Sequence, residues 1–259
     1  MNHSSPVVFA SGTCRLLLCF DPTVQEKVGI PCDSIHHFHF GWKGGRNFLG
    51  KLHTAKQHLA LLQFLGYDLC LSKQEQQNLL SMSSPSVWWK AYTHHDPHYT
   101  YPTAIQNLRE RIHECNVFLF EICSIKNIVS FPDGIPVQTE IVDDETMIHT
   151  QSVEECREDV IRLIEYVDEK FNHPTIILMG HVRNWLFNPD HKYLAERQSI
   201  YELLVEMDQL YENVFYVDPA IFLSQNDMND DWHYKDYGEA YAMLYRKICS
   251  LWRSTSTST

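Results

Sequence analysis

Two short stretches at opposite ends of the chain carry residue types that can act as one catalytic unit. Near the start, Gly12-Thr13-Cys14-Arg15 follows the β-branched and aromatic run Val7-Val8-Phe9-Ala10. A cysteine in a strand-to-helix turn can be held as a thiolate by the helix N-terminus, with backbone N–H groups facing an oxyanion. Near the end, Asp230 stands three residues before His233, ahead of Gly238 and a last apolar-striped segment. An acid so placed can orient one ring nitrogen and leave the other for a nucleophile. The plainer alternatives are a Cys14 that is a small buried hydrophobe and a His233 at the surface, with Asp230 and Asp231 serving as helix N-terminal charges.

Other residues compete for chemistry. His36, His37 and His39, with His94, His95, Asp96 and His98, combine imidazoles with a carboxylate, a mixture that suits zinc, but without a recognised ligand spacing. His53 lies near Arg46 and Lys51 and suits an anionic substrate group. Glu121, inside the apolar run Val117 to Ile122, is either an edge carboxylate or a buried group with a functional partner.

The elements that must position these residues follow from periodicity. Val7 to Ala10, Val117 to Ile122, Thr175 to Met179 and Val214 to Val217 read as buried strands. Helical spacing predicts helices over roughly Asn47 to Leu65, after Pro102 with Thr103 and Gln106 as a capping box, and after Ser152 with Glu155 as another. Val153 belongs to the inner face of that third helix. Ile200, Leu203, Leu204, Met207, Leu210 and Tyr211 mark the inner face of a further helix, and Tyr237, Tyr241, Leu244, Tyr245 and Ile248 that of the last. Ser130 to Ile148 reads as an excursion or small hairpin, and Ser81 to Tyr101 as a lid or cap. Alternating strands and helices imply an α/β fold: a parallel sheet with helices on both faces and sites at the carboxyl ends of its strands. One domain over residues 1–252 is expected, followed by a disordered tail, 253–259.

Composition narrows the function classes. Of 259 residues, 33 are acidic and 21 basic, a formal charge of -12, so nucleic acid is not an expected partner. No apolar run approaches the ~20 residues of a membrane span. Eight cysteines without a Cys-x-x-Cys pair speak against a zinc ribbon or disulfide scaffold, favouring reduced thiols and a cytoplasmic setting. No secretory signal is read at the N-terminus.

The Asp230-x-x-His233 unit, followed by Tyr234, Gly238 and an amphipathic helix, resembles the last block of the SGNH/GDSL hydrolase superfamily. Gly12-Thr13-Cys14 falls where that superfamily carries its first block, usually Gly-Asp-Ser. Cysteine in place of serine is similar to a branch of polysaccharide acetyltransferases with a Gly-x-Cys motif after the first strand. The resemblance implies a three-layer α/β/α, doubly wound, flavodoxin-like sheet. It also implies acyl transfer on O-acyl ester or thioester groups, as esterase or acyltransferase, through a Cys14–His233–Asp230 triad. The substrate would be a small-molecule or carbohydrate ester, with no resident cofactor or metal, and acyl-coenzyme A would be a candidate donor. The superfamily's Gly-x-Asn-Asp block is absent, so oxyanion and substrate contacts are distributed over Gly12, Gly45, Asn47, His53, Asn127 and Asn184. Two other functions stand beside this one: a metal-dependent hydrolase built on the histidine clusters, and a non-catalytic binding module on the same fold.

Overall fold

A computed structural model describes residues 6–34, 37–38, 46–47, 52–72, 75–76, 79, 101–130, 136–137, 146–181, 194–228, 234–235 and 239–255. Its strands are β1 (Val7–Ser11), β2 (Asp33–Ser34), β3 (His37–Phe38), β4 (Arg46–Asn47), β5 (Val117–Glu121), β6 (Lys126–Ser130), β7 (Pro136–Val137), β8 (Thr146–Thr150), β9 (Thr175–Met179) and β10 (Val214–Val217). Its helices are α1 (Cys14–Leu17), α2 (Pro22–Val28), α3 (Ala55–Leu65), α4 (Tyr101–Arg111), α5 (Val153–Lys170), α6 (Leu194–Leu210) and α7 (Glu239–Thr255).

Five strands form one sheet in the order β2-β1-β5-β9-β10, and every neighbouring pair is parallel. Successive side chains on a strand point to opposite faces, and here both faces are apolar. Phe9, Phe118, Phe120, Ile176 and Leu178 face a core closed by α3, α4, α5 and α6. Val8, Ala10, Val117, Leu119, Ile177 and Met179 face a second core closed by α1, α2 and α7. The sheet therefore lies between two helical layers. The α/β class and parallel sheet expected from the alternation of elements are present.

The chain runs outward from β1 to β2 by way of α1 and α2 on one face, then crosses by way of α3 and α4 on the other to reach β5. The winding direction reverses between β1 and β5, and in such sheets the crevice outside the carboxyl ends of those two strands is where ligands bind. Among the described residues no helix is long and apolar enough to cross a membrane.

Several expected boundaries shift, each for a local reason. The helix expected from Asn47 begins at Ala55, because the Thr54 side chain accepts from Gln57 N–H and closes a capping box, while Asn47 pairs with His37 in an antiparallel β-bridge. The helix expected after Pro102 begins at Tyr101, with Pro102 in its first turn, where a missing N–H costs nothing. Thr103 is therefore inside α4 and not its cap. The Ser152–Glu155 box is present as expected. The excursion from Ser130 is an antiparallel sheet in the order β7-β6-β8, with β6 starting at Lys126. Val153 and Leu210 sit at helix ends and are exposed, not on inner faces. The last helix reaches Thr255, into the segment expected as tail, since its apolar stripe continues to the buried Trp252 packed on Tyr245.

Candidate functional site

The turn after β1 is built around a carboxylate from β5. Gly12 is buried, and a Cβ there would lie 2.6 Å from Glu121 Cβ, so only glycine lets the two strands' ends approach this closely. Glu121 is fully buried, and both of its carboxylate oxygens are used. Oε2 accepts from Thr13 N–H at 2.7 Å and Thr13 Oγ1 at 2.5 Å, and Oε1 accepts from Arg15 Nε at 2.7 Å. Burial alone would push the Glu121 carboxyl up, but the Arg15 guanidinium and the Thr13 donors outweigh it and hold it below the ordinary carboxylate range. The sequence alternatives for Glu121 resolve to a buried group with partners. A carboxylate so engaged is a weak proton acceptor, which removes it as a general base.

Cys14 is the first residue of α1, between the two residues that Glu121 holds. The Arg15 amide donates to Thr13 Oγ1 at 3.4 Å and the Leu16 amide to Thr13 O at 3.1 Å, closing the turn. α1 has four residues before it tightens into a 3-10 turn, Leu18–Phe20, so the thiolate stabilisation expected from a helix dipole is small here. Charge near the turn comes from side chains instead. Arg15 is 5% exposed and its charge is retained against burial by Glu121, with Cys123 and Tyr234 also facing it. Arg15 Nη2 reaches Cys123 Sγ at 3.6 Å, and burial pushes the Cys123 thiol up to about 12.

A second layer holds the end of β1 from below. His58 of α3 is fully buried, with Nε2 2.9 Å from the Glu121 carbonyl and Nδ1 2.9 Å from Ser11 Oγ. A carbonyl can only accept, so Nε2 carries the proton and Nδ1 accepts from the serine hydroxyl. Burial lowers the His58 pKa to about 4, keeping the ring neutral in this role.

His53 precedes the α3 cap. Its carbonyl accepts from Cys123 and Ser124 N–H at 2.9 and 3.1 Å, its amide donates to Gln57 Oε1 at 2.8 Å, and its ring is within electrostatic reach of Glu121. Asn127 is buried in β6, where Oδ1 accepts from Thr54 Oγ1 and Nδ2 has no hydrogen-bond partner among the described residues. Beyond β9, buried His181 meets Arg197 of α6 at 3.2 Å. Tyr234, buried and bridged to Met228, lies within electrostatic reach of Arg15 and Glu121.

The fold therefore brings Gly12, the Cys14 turn and His53 to the carboxyl ends of β1 and β5, with Asn127 one residue contact away through Thr54. Asn47 is paired with His37 in β4. Gly45, Asn184, Asp230 and His233 lie outside the described residues, as do His36, His39 and His94 to His98. Among the described residues no group of three or more His, Cys, Asp or Glu side chains is arranged to hold a metal.

Sequence reasoning missed Ser11, His58 and Arg197. A signal was present for two of them: His58 shares the buried stripe of α3 with Ala55 and Leu62, and Arg197 that of α6 with Ile200 and Leu204. A polar residue on a buried stripe needs a partner, and both have one. No protein-family model matches this chain, and no curated protein matches it.

Proposed function

We propose that this chain is an acyl-transfer enzyme of the SGNH type, in which Cys14 carries the acyl group, His233 is the base and Asp230 orients it. The observation that supports this most is the place of Cys14: the first residue after the β1 turn, in the crevice where the sheet reverses its winding, in a turn fixed on both sides by buried hydrogen bonds. Tyr234, next to His233 in sequence, packs within electrostatic reach of Arg15, next to Cys14, which suits a meeting of the two ends of the chain.

In the first step the Cys14 thiolate attacks the acyl carbonyl, and the bond to the leaving oxygen or sulfur breaks as His233 returns the thiol proton to it. In the second, water or a sugar hydroxyl attacks the thioester, His233 takes its proton, and the thiol is regenerated. The Cys14 amide, between the engaged amides of Thr13 and Arg15, is the proposed oxyanion donor, joined by one donor from residues 40–47. Substrates are O-acyl esters or thioesters of small molecules or carbohydrates, with acyl-coenzyme A as donor where transfer replaces hydrolysis. Seven described cysteines are free, a state that suits a reducing compartment.

The test is turnover of aryl acetates and acyl-coenzyme A thioesters by wild type, Cys14→Ala, His233→Ala and Asp230→Asn. Cys14→Ala and His233→Ala fall to background, Asp230→Asn retains more, and the losses do not add in combination. A Cys14→Ala variant that turns over like wild type overturns the proposal.

A further inference from the structure

We propose that Glu121 is a positioning residue for the thiol site, fixing through residues 11, 13 and 15 the backbone that presents Cys14. The inference rests on the reading of Cys14 as nucleophile and adds a residue that touches neither substrate nor reacting atoms.

The geometry carries it. The carboxylate binds residue 13 twice and residue 15 once. The carbonyl of the same residue binds His58, which binds residue 11. Every second residue from 11 to 15 is thus tied, directly or through one imidazole, to the last residue of β5. Gly12 is the point of contact, with no room for a side chain against Glu121. Gly12 and Cys14 are the two residues left over by this alternation. The tie at residue 13 includes its backbone N–H, and those at 11 and 15 are to side chains, so one buried residue holds the turn from both flanks, and reactive groups depend on such placement.

Charge gives the proposal a signature that plain structural support lacks. Among the described residues the groups facing the turn are Arg15 on α1, Cys19 in the 3-10 turn after it, Glu121 at the end of β5, Cys123 just past it, His53 ahead of α3, His58 on α3 and Tyr234 ahead of α7. Glu121 is the one carboxylate among these named groups, and its charge opposes a thiolate at residue 14 while that of Arg15 favours it. Glu121→Gln keeps size and removes that charge. Cys14 should then ionise more readily, even as acyl transfer becomes slower because the turn is less well held. More thiolate with less turnover separates positioning from simple activation.

The experiment measures the rate of iodoacetamide alkylation at Cys14, mapped by mass spectrometry, against pH, together with kcat and KM, for wild type, Glu121→Gln, Glu121→Asp and Thr13→Val. Thr13→Val removes only a hydroxyl and keeps the ion pair, so it guards against a Glu121 variant that does not fold. Glu121→Gln should move the Cys14 titration to lower pH by about one unit and lower kcat by about 10²-fold, with KM changed less than about threefold. Glu121→Asp should keep the titration near that of wild type and recover part of kcat, and Thr13→Val should lower kcat by about tenfold. Wild-type titration and wild-type kcat in folded Glu121→Gln and Thr13→Val overturn the proposal. Alkylation needs no acyl chemistry: if turnover proves independent of Cys14, the acyl-transfer reading fails while a shifted titration still upholds the placement of this turn by Glu121.

Discussion

The two ends of the central sheet treat polar groups in opposite ways. At the amino ends of the strands the polar contacts stay within reach of water. Arg111 pairs with Asp33 at 2.5 Å with side chains 39% and 52% exposed, and Val7 N–H donates to Asn116 at 3.0 Å in the open. At the carboxyl ends of β1 and β5 the same kinds of group are sealed in: Ser11, Thr13, Arg15, His58 and Glu121 form one connected network without appreciable exposure. Exposed pairs contribute little and are easily replaced. A buried carboxylate and guanidinium cost desolvation on folding, so a network of them is weak evidence for stability and better evidence for a required geometry. The comparison marks the carboxyl ends of β1 and β5 as the place where polar geometry is most tightly specified, independently of any motif.

The largest contrast should come from truncating one partner at each end. Glu121→Ala leaves the Arg15 guanidinium buried without its carboxylate and should destabilise the fold by about 3–5 kcal/mol in urea unfolding, whereas Asp33→Ala should cost about 1 kcal/mol or less. Equal losses would erase the distinction between the ends.

Next in size is a dependence on pH. The folded His58 pKa is about 4 because the neutral ring alone fits its pocket. Above the ordinary value of about 6.5 both states hold a neutral imidazole and nothing is lost. As pH falls below that value the unfolded chain takes up a proton that the folded one refuses, and about 3 kcal/mol is lost progressively down to the folded value. Urea unfolding at a series of pH values should show a steeper fall for wild type than for His58→Asn over this window. Parallel curves would contradict the neutral state assigned to the folded His58 ring.

The smallest contrast compares two glycines. Gly12→Ala forces a Cβ onto Glu121 and should cost about 1–3 kcal/mol together with a loss of turnover. Gly29 has φ +75 and open space around it, so Gly29→Ala should cost about 1–2 kcal/mol by backbone strain alone and leave turnover unchanged. Thermal unfolding and initial rates on both variants measure the difference.

Much of this frame was legible in the sequence because it is set by local pattern. Thr175 to Met179 and Val214 to Val217 match their strands to the residue, since apolar β-branched runs between turns have little else to become. The Ser152–Glu155 box was equally local. What escaped was fixed by distant partners. Glu121 was visible as an anomaly in an apolar strand, yet its partner Arg15 lies 106 residues away and no spacing rule connects them. β2, β3, β4 and β7 are two residues long and carry no period to read. Of the residues expected to act, Gly12, the Cys14 turn and His53 reach the crevice, while Asn127 turns its carbonyl oxygen to the α3 cap.

The central claim, that the sealed carboxyl end serves a nucleophilic Cys14, is tested most directly by looking for the acylated thiol. Wild type and Cys14→Ala are mixed with an acyl-coenzyme A or aryl acetate donor, quenched in acid within milliseconds, and weighed intact before proteolytic mapping. Wild type should gain the mass of one acyl group, mapped to the peptide containing Cys14 and absent from Cys14→Ala. An adduct that forms equally on Cys14→Ala, or a turning-over enzyme that shows none, contradicts it.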